Sequence, residues 1–410
     1  MKRLLYIFVF LSSAAVCFSQ NTLNYFIDRS LINSPLLKDY QNRQLSLSLD
    51  SQIIRAAQKP QVSFVSNNMY APVIKGWGYD EIITNMAQVS AMVQATKNFL
   101  SKGNLAAQYE QIALQRQSLN DTLFLSRKDL VKTITEQYIS AYGDQLTMDY
   151  SNDLYNLMIK EEDALKKLAQ SSVIKQTEFL SFDITLKQQE LTYLQAQIQY
   201  NTDFLTLNYL AGIVDTTITR LEEPKLTDSL SFDFYSSVFY KRYITDSLRI
   251  VNERKIIDYS YRPTISAVGD AGFNSSLQNT PYKNFGFSVG LNIKHILYDG
   301  HQKKLKYQKL DLEEKTRIDN KDFYVNQYNQ QIRQLYIQLR GTNELFDKIK
   351  EQVAYSKTLI EAYGKLLQTS DIKVTDFVTA ITNYMNAQNT FRQNFISRLK
   401  IMNQINYWNQ

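Results

Sequence analysis

The sequence predicts a mainly α-helical chain with a small set of membrane-type β-strands. It is built as two repeats of helix, strand, strand and long helical hairpin. Three observations predict this. Leu366-Leu-Gln-Thr-Ser-Asp-Ile-Lys-Val-Thr-Asp-Phe-Val378 restates Leu168-Ala-Gln-Ser-Ser-Val-Ile-Lys-Gln-Thr-Glu-Phe-Leu180, 198 positions apart in a chain of 410. Segments ahead of each copy alternate apolar and polar residues with period two. Residues 104–211 and 301–410 contain no proline and, respectively, one glycine and two. Repetition at this length means two copies of one large supersecondary unit, not a short-period solenoid.

The repeat extends beyond the motif. Lys59-Pro60 mirrors Arg262-Pro263, Leu100-Ser-Lys-Gly103 mirrors Leu297-Tyr-Asp-Gly300, and Leu207-Asn-Tyr-Leu210 mirrors Ile405-Asn-Tyr-Trp408. The expected organisation is a signal peptide over 1–19, a first repeat over 20–212, a connector over 213–231 and a second repeat over 232–410. The first segment has a basic start at Lys2-Arg3 and an apolar stretch too short to span a bilayer. A small-x-small site follows at Cys17-Phe-Ser19, the layout of a cleaved export signal. Gln20 would then begin the mature chain. Val16 stands where a lipoprotein signal wants a small residue, so lipidation of Cys17 is the disfavoured alternative. Removal of Cys17 leaves no cysteine and hence no thiol or disulfide chemistry.

Ser34 followed by Pro35 reads as a helix start, and Leu45, Leu49, Ile53, Ile54 and Ala57 continue at helical spacing. Strands are expected at about 60–71 and 87–99. In the second repeat they fall at about 263–274 and 285–296, after a helix over Phe232–Tyr259. The clearest alternation sets Phe285, Phe287, Val289, Leu291 and Ile293 against Gly286, Ser288, Gly290, Asn292 and Lys294. Nine to eleven residues is the length of a tilted transmembrane strand, so the first set is expected to face lipid. An amphipathic hairpin in a soluble sheet is the competing reading. Trp77, Tyr70, Tyr79, Tyr259, Tyr261, Tyr282 and Tyr298 flank the strands, as interfacial aromatic girdles do.

The two long tracts follow. In the second, Ile318, Val325, Ile332, Leu339, Phe346, Val353, Ile360 and Leu367 recur every seven residues, which demands a sustained coiled-coil-like contact. Residues 104–170 show no single seam; as a helix they would run about 100 Å. The repeated motifs, at 168–180 and 366–378, are Ser-, Thr- and Asp-rich. Such side chains compete for backbone hydrogen bonds and favour turns and helix N-termini. Each is read as the tip of a helical hairpin.

Net charge is +6, falling to +4 without Lys2 and Arg3, with both signs interspersed. No nucleic-acid partner is expected from such a balance. His295 and His301 are the only histidines, and their spacing suits no metal site. No phosphate-binding loop or nucleophile elbow is present. Neither an enzyme nor a cofactor is expected.

The order of elements, the Asn33-Ser-Pro35-Leu-Leu start, the Lys59-Pro60 and Arg262-Pro263 strand starts and the Ile296-Leu-Tyr-Asp-Gly300 junction together resemble the TolC family of outer-membrane efflux proteins. Phe99-Leu-Ser-Lys-Gly103 has lost the aspartate of that junction. The resemblance implies a homotrimer whose four strands per chain complete a twelve-stranded barrel in outer-membrane lipid. The barrel would join a long α-helical tube in the periplasm, with 213–231 as an equatorial connector. It implies the exit duct of a tripartite efflux or type I secretion system. The partners would be a periplasmic adaptor (membrane fusion protein) and an inner-membrane transporter. The alternative is a periplasmic coiled-coil structural or adaptor protein without a barrel.

The resemblance also marks the tips. Ser171, Ser172, Lys175, Thr177, Thr369, Ser370, Asp371, Lys373 and Thr375 are candidate adaptor-docking residues. Asp376 matches the first of two pore-facing acidic positions and Thr379 occupies the second, with Glu178 the first-repeat counterpart of Asp376. A ring of Asp376 would form a cation-attracting constriction; the alternative is that Asp376 only favours the N-terminus of the returning helix.

Overall fold

Twelve longer elements follow the doubled order in a computed structural model, which describes residues 21–72, 74–79, 87–226, 234–277, 280–369 and 371–408. The signal segment, including Cys17, lies outside the described residues, as does Ser370. The first repeat runs α1 (Leu23–Asn33), α2 (Pro35–Ala57), β1 (Gln61–Val65), β2 (Asn68–Tyr70), β3 (Ala87–Phe99), α3 (Lys102–Gln170) and α4 (Gln176–Ala211). The second runs α5 (Val238–Ser260), β4 (Thr264–Ser275), β5 (Phe285–Lys294), α6 (Gln302–Gln368) and α7 (Val374–Trp408). No described helix is long and apolar enough to cross a membrane.

The described residues divide into two bodies. Those of Asp39–Thr122 and Phe239–Phe323 hold the strands; those of Met1–Lys38, Leu123–Val238 and Tyr324–Gln410 hold the hairpins.

In the strand body one antiparallel sheet runs β1-β3-β4-β5, with β2 also paired to β3. The segment expected at 60–71 is thus two strands. Ser66 and Asn67 interrupt the ladder opposite buried Ser90, whose amide still donates to the Asn67 carbonyl at 3.0 Å while its hydroxyl adds to the pairing. That hydroxyl donates to the Asn67 carbonyl at 3.0 Å and accepts from the Asn67 amide at 3.1 Å. The central pair β3–β4 joins the two repeats, from Val89 opposite Ser275 to Phe99 opposite Ile265. A Cβ at Gly272 would overlap the Ala91 carbonyl oxygen, so only glycine admits this close approach.

Where strand turns into helix, the two repeats use different chemistry. Asp299 accepts the Lys303 amide at 2.7 Å and caps α6. In the first repeat the Ser101 hydroxyl accepts the Asn104 amide at 3.2 Å. Ser101 stands 198 positions before Asp299 and supplies the cap in place of the missing aspartate. Gly300 adopts φ 66°, a conformation glycine takes without steric cost. Gly103 instead gives room to the Tyr259 ring, which a Cβ there would displace.

In the hairpin body, α1 and the connector pack on α3 and α4. Phe26, Ile134, Tyr138, Phe204, Leu207 and Leu221 are buried together. The connector is fastened by Gln145, which accepts the Leu221 amide at 2.7 Å and donates to its carbonyl at 3.1 Å. The Tyr138 hydroxyl lies 2.6 and 2.7 Å from the carbonyls of Asn21 and Glu222. Buried residues near the middle of α3 include Ile134, Thr135, Tyr138, Ile139, Ala141 and Tyr142. They occupy more than one helical face, which is why this tract shows no single seam.

On α6 the seven-residue row is one of two. Tyr328, Leu335 and Ile349 form a second row three positions after Val325, Ile332 and Phe346, and all three are buried. Leu339, Ile360 and Leu367 of the first row are buried as well. Alternating steps of three and four place both rows on one stripe.

Candidate functional site

The two hairpin tips are built alike. α3 ends at Gln170 and α4 begins at Gln176; α6 ends at Gln368 and α7 begins at Val374. In the first, the Val173 amide donates to Leu168 O at 2.9 Å, and in the second the Asp371 amide donates to Leu366 O at 2.9 Å. The Ser171 hydroxyl reaches Leu168 O at 3.1 Å, and the Thr369 hydroxyl reaches Leu366 O at 3.0 Å. Lys175 O accepts from the Glu178 amide at 2.9 Å, and Lys373 O accepts from the Asp376 amide at 3.0 Å. The recurring small polar residues therefore perform recurring backbone bonds. Thr369 also bonds the Asp371 carboxylate.

Beneath the turns, Phe182 and Phe377 stack with centroids 6.2 Å apart and planes 18° apart. They join Leu165, Leu367, Val374 and Ile381 in one buried cluster. The stack pairs non-equivalent positions, since Phe377 corresponds to Phe179 in the repeat. It fixes one hairpin against the other and leaves the turn residues outward. Ser171, Ser172, Lys175, Thr177, Thr369, Asp371, Lys373 and Thr375 are all exposed.

Asp376 is the third residue of α7, exposed, its carboxylate without a hydrogen-bond partner among the described residues. Glu178 occupies the matching position of α4, but it is half-buried and accepts the Lys175 amide at 3.4 Å. Its carboxylate is engaged at the helix start, while that of Asp376 is free to face solvent. Thr379, three residues on and also exposed, donates its hydroxyl to Thr375 O at 2.8 Å.

A polar seam in the hairpin body escaped the sequence reading. Arg392 of α7 is 9% exposed, with its guanidinium 5.2 Å from the Tyr150 ring centroid and bonded to Asn389. Burial lowers its pKa and raises that of Tyr150. Nearby, burial and a hydrogen bond with Asp203 push the Asp144 carboxyl up to about 7, opposed by Lys400 and Arg392. A protonated Asp144 avoids placing two negative charges together. The available signal was Arg392 itself, a charge at helical spacing between Phe377, Ile381 and Tyr384 on one side and Phe395, Leu399 and Met402 on the other.

In the strand body, directly opposed residues share a face of the sheet. One row reads Phe64, Val93, Ala271, Phe287, and the next row on that face reads Val62, Ala95, Gly269, Val289. Between them, on the other face, lie Ser63, Gln94, Asp270 and Ser288. Ser288 donates to Asp270 at 2.8 Å across that face. Phe285, Phe287, Val289, Leu291 and Ile293 are each more than 70% exposed, so nothing among the described residues covers them.

No protein-family model matches the sequence, and no curated protein does. Solved structures do match. CusC, a protein that forms a transmembrane channel, is 10% identical with a TM-score of 0.75, over 94% of this chain and 92% of that one. The outer membrane protein VceC of Vibrio cholerae is 12% identical with a TM-score of 0.74, over 94% and 96%. The CmeC outer membrane channel of Campylobacter jejuni is 12% identical with a TM-score of 0.73, over 95% and 86%. The chain has the fold of these outer-membrane channels. The likeness extends over nearly the whole of each chain, strands and hairpins together, so it concerns the full architecture and not the helical hairpins alone.

Proposed function

We propose that this chain is one protomer of a trimeric outer-membrane channel, the exit duct of a tripartite efflux or type I secretion system. The observation that carries the reading is the sorting of the sheet. Rows from four strands align apolar residues on one face and mostly polar or small residues on the other, where Val65, Met92 and Val268 are the apolar members, and among the described residues both outer strands are unpaired along one edge. An open edge in lipid leaves backbone groups unsatisfied at several kcal/mol each, and four strands, with β1 and β2 counted as one interrupted strand on β3, fall short of the eight of the smallest bacterial barrels. Copies must therefore share one barrel, and three copies give twelve strands. Exposed Ile184, Leu191, Ile198 and Leu205 recur every seven residues along α4. A helix of a neighbouring copy would cover that stripe. The export-type N-terminus supports the same localisation, in the outer membrane with the hairpins in the periplasm.

In this reading the protein is a passive conduit without cofactor or catalytic step. The tips dock a periplasmic adaptor and, through it, an inner-membrane transporter. Lys175 and Lys373 support this: they recur in register and are exposed, yet their side chains are not required by the turn. Asp376 carries the negative charge of the mouth, with Thr379 beside it and Glu178 contributing less because it is engaged with its own backbone. Mass measurement of the complex purified in mild detergent tests the assembly. Three chains are expected; a monomer, or a protein extracted from cells without detergent, refutes the reading.

A further inference from the structure

The strand register lines up one rim of the sheet. Gln61 opposes Thr96, Phe99 opposes Ile265 and Thr264 opposes Lys294. Lys59, Lys97, Arg262 and Lys294 therefore stand within a few residues of the same edge. α3 and α6 begin just beyond it, where Lys102, Lys304 and Lys306 add further charge. All seven cations are exposed. The rim's carboxylates are already occupied. Asp258 bonds Tyr307 at 2.6 Å and Lys303 at 2.9 Å, and Asp299 is bonded to Tyr261 and the Lys303 amide. These partners hold both carboxyls below the usual range. Among the described residues no carboxylate forms an ion pair with any of the seven exposed cations. At the opposite strand ends, the described loops carry only Lys75 and Lys283 as cations.

Two features specify what the rim meets. Lys97 opposes Ala267, which opposes Leu291, so its side chain leaves the apolar face of the sheet. A lysine there extends its stem along apolar surface and carries its ammonium to the polar boundary. Aromatic and apolar groups stand beside the charges. Arg262 lies 4.5 Å from the Tyr259 ring centroid and Lys306 5.7 Å from that of Tyr261, while Leu297 and Tyr298 are 91% and 78% exposed. A solvated charge run explains neither the confinement to one rim nor the exposed Leu297.

We infer that this rim is a collar for anionic phospholipid, in which Lys59, Lys97, Arg262, Lys294, Lys304 and Lys306 hold headgroup phosphates of the leaflet on the helical side. Guanidinium and ammonium groups both bind phosphate through charge-assisted hydrogen bonds. Leu297 and Tyr298 enter the boundary with the acyl chains. The inference rests on the proposed barrel.

The test places the purified assembly in nanodiscs of phosphatidylcholine with or without phosphatidylglycerol, and counts retained lipids by native mass spectrometry. Each cation near a membrane surface contributes about a fivefold preference for anionic lipid. The wild type is expected to retain phosphatidylglycerol over phosphatidylcholine by about tenfold or more, allowing for incomplete contact. The combined variant Arg262→Gln, Lys294→Gln, Lys304→Gln and Lys306→Gln should lose most of that preference. A charge-keeping variant, Lys294→Arg, Lys304→Arg and Lys306→Arg with Arg262 left intact, should keep it.

Equal retention of the two lipids by the wild type overturns the collar, as does a glutamine variant that retains lipid as the wild type does. If the glutamine variant does not assemble, the wild type decides alone. Its preference must fall as salt is raised, because exposed charges are screened, and a salt-independent preference overturns the inference. Failure of the wild type to enter either nanodisc removes the barrel reading and the collar with it, whereas insertion without lipid preference removes the collar alone.

Discussion

Arginine substitutions along β5 measure where the apolar face sits in the bilayer. Phe285 to Ile293 spans eight residue steps, about 27 Å along the strand, or about 21 Å across the membrane at a tilt of about 40°. Val289 is the midpoint of this stretch. Leu291 lies about 5 Å from the midpoint and Ile293 about 10 Å, next to the Lys294 rim. Arginine on a lipid face costs about 2–4 kcal/mol at the midplane and about 0–1 near the boundary. The expected costs are about 3 kcal/mol for Val289→Arg, about 2 for Leu291→Arg and about 1 for Ile293→Arg. Ser288→Arg is the control on the other face, where the new guanidinium would meet Asp270, the present partner of Ser288; it should cost less than Val289→Arg. The assay is a urea titration of the folded fraction in lipid vesicles. Equal costs for Val289→Arg and Ser288→Arg, or costs that rise toward Ile293, would refute the assigned facing.

Two further predictions concern the hairpins. Asp376→Asn should weaken block of the channel by divalent or trivalent cations in a planar bilayer, because the charge is lost while the shape is nearly kept. Unchanged block together with less assembled protein for Asp376→Ala would make Asp376 a helix-terminus residue only. Asp144 titrates at about 7 in the folded chain against a reference of 3.8, so between those values the folded state holds a proton that the unfolded state has released. Its stabilising share is complete on the acid side and is lost as pH rises to about 7. Discounted for the solvent exposure of Asp144, Asp144→Asn should recover about 1 kcal/mol at pH 8 relative to pH 5. Thermal melts of both proteins at the two pH values check the sign, and an equal effect at both would show that the carboxyl does not take up the proton.

Much of the fold was legible because its signals are local. The tips stood out as Ser, Thr and Asp clusters inside tracts free of proline, and those side chains do make the turn's own bonds at Leu168 and Leu366. Alternation located β3 and β5. It could not say that β3 pairs with β4, because period two assigns faces and not partners. Nor could it show the break at Ser66 and Asn67, which lies opposite Ser90 across the sheet. The seven-residue row on α6 was visible where its members are aliphatic. Its companion row was less visible, since it mixes Tyr328 and Leu335 with Thr342 and Ser356. Around the tips, the motif put Asp376 at the start of the returning helix, where it lies, but the engagement of Glu178 by its own backbone could not be read. The seam of Asp144, Asp203 and Arg392 was hidden for a different reason: its members come from three helices, and periodicity shows which positions turn inward but not which residues meet.

The spacing of the repeat carries a consequence for how such a chain can change. β3 and β5 begin 198 positions apart, and so do α4 and α7; α3 and α6 end at the same interval. By contrast Pro60 and Pro263 are 203 apart, so the length difference between the halves was absorbed ahead of β3. A residue added within a helix would advance everything beyond it by about 1.5 Å and turn it by about 100°, carrying Leu335 or Phe377 off its buried face. Loops tolerate such edits and these arms do not. Each hairpin thereby serves as a gauge for the other, and any lasting change of reach must be made in both arms at once, in steps that restore the seven-residue phase.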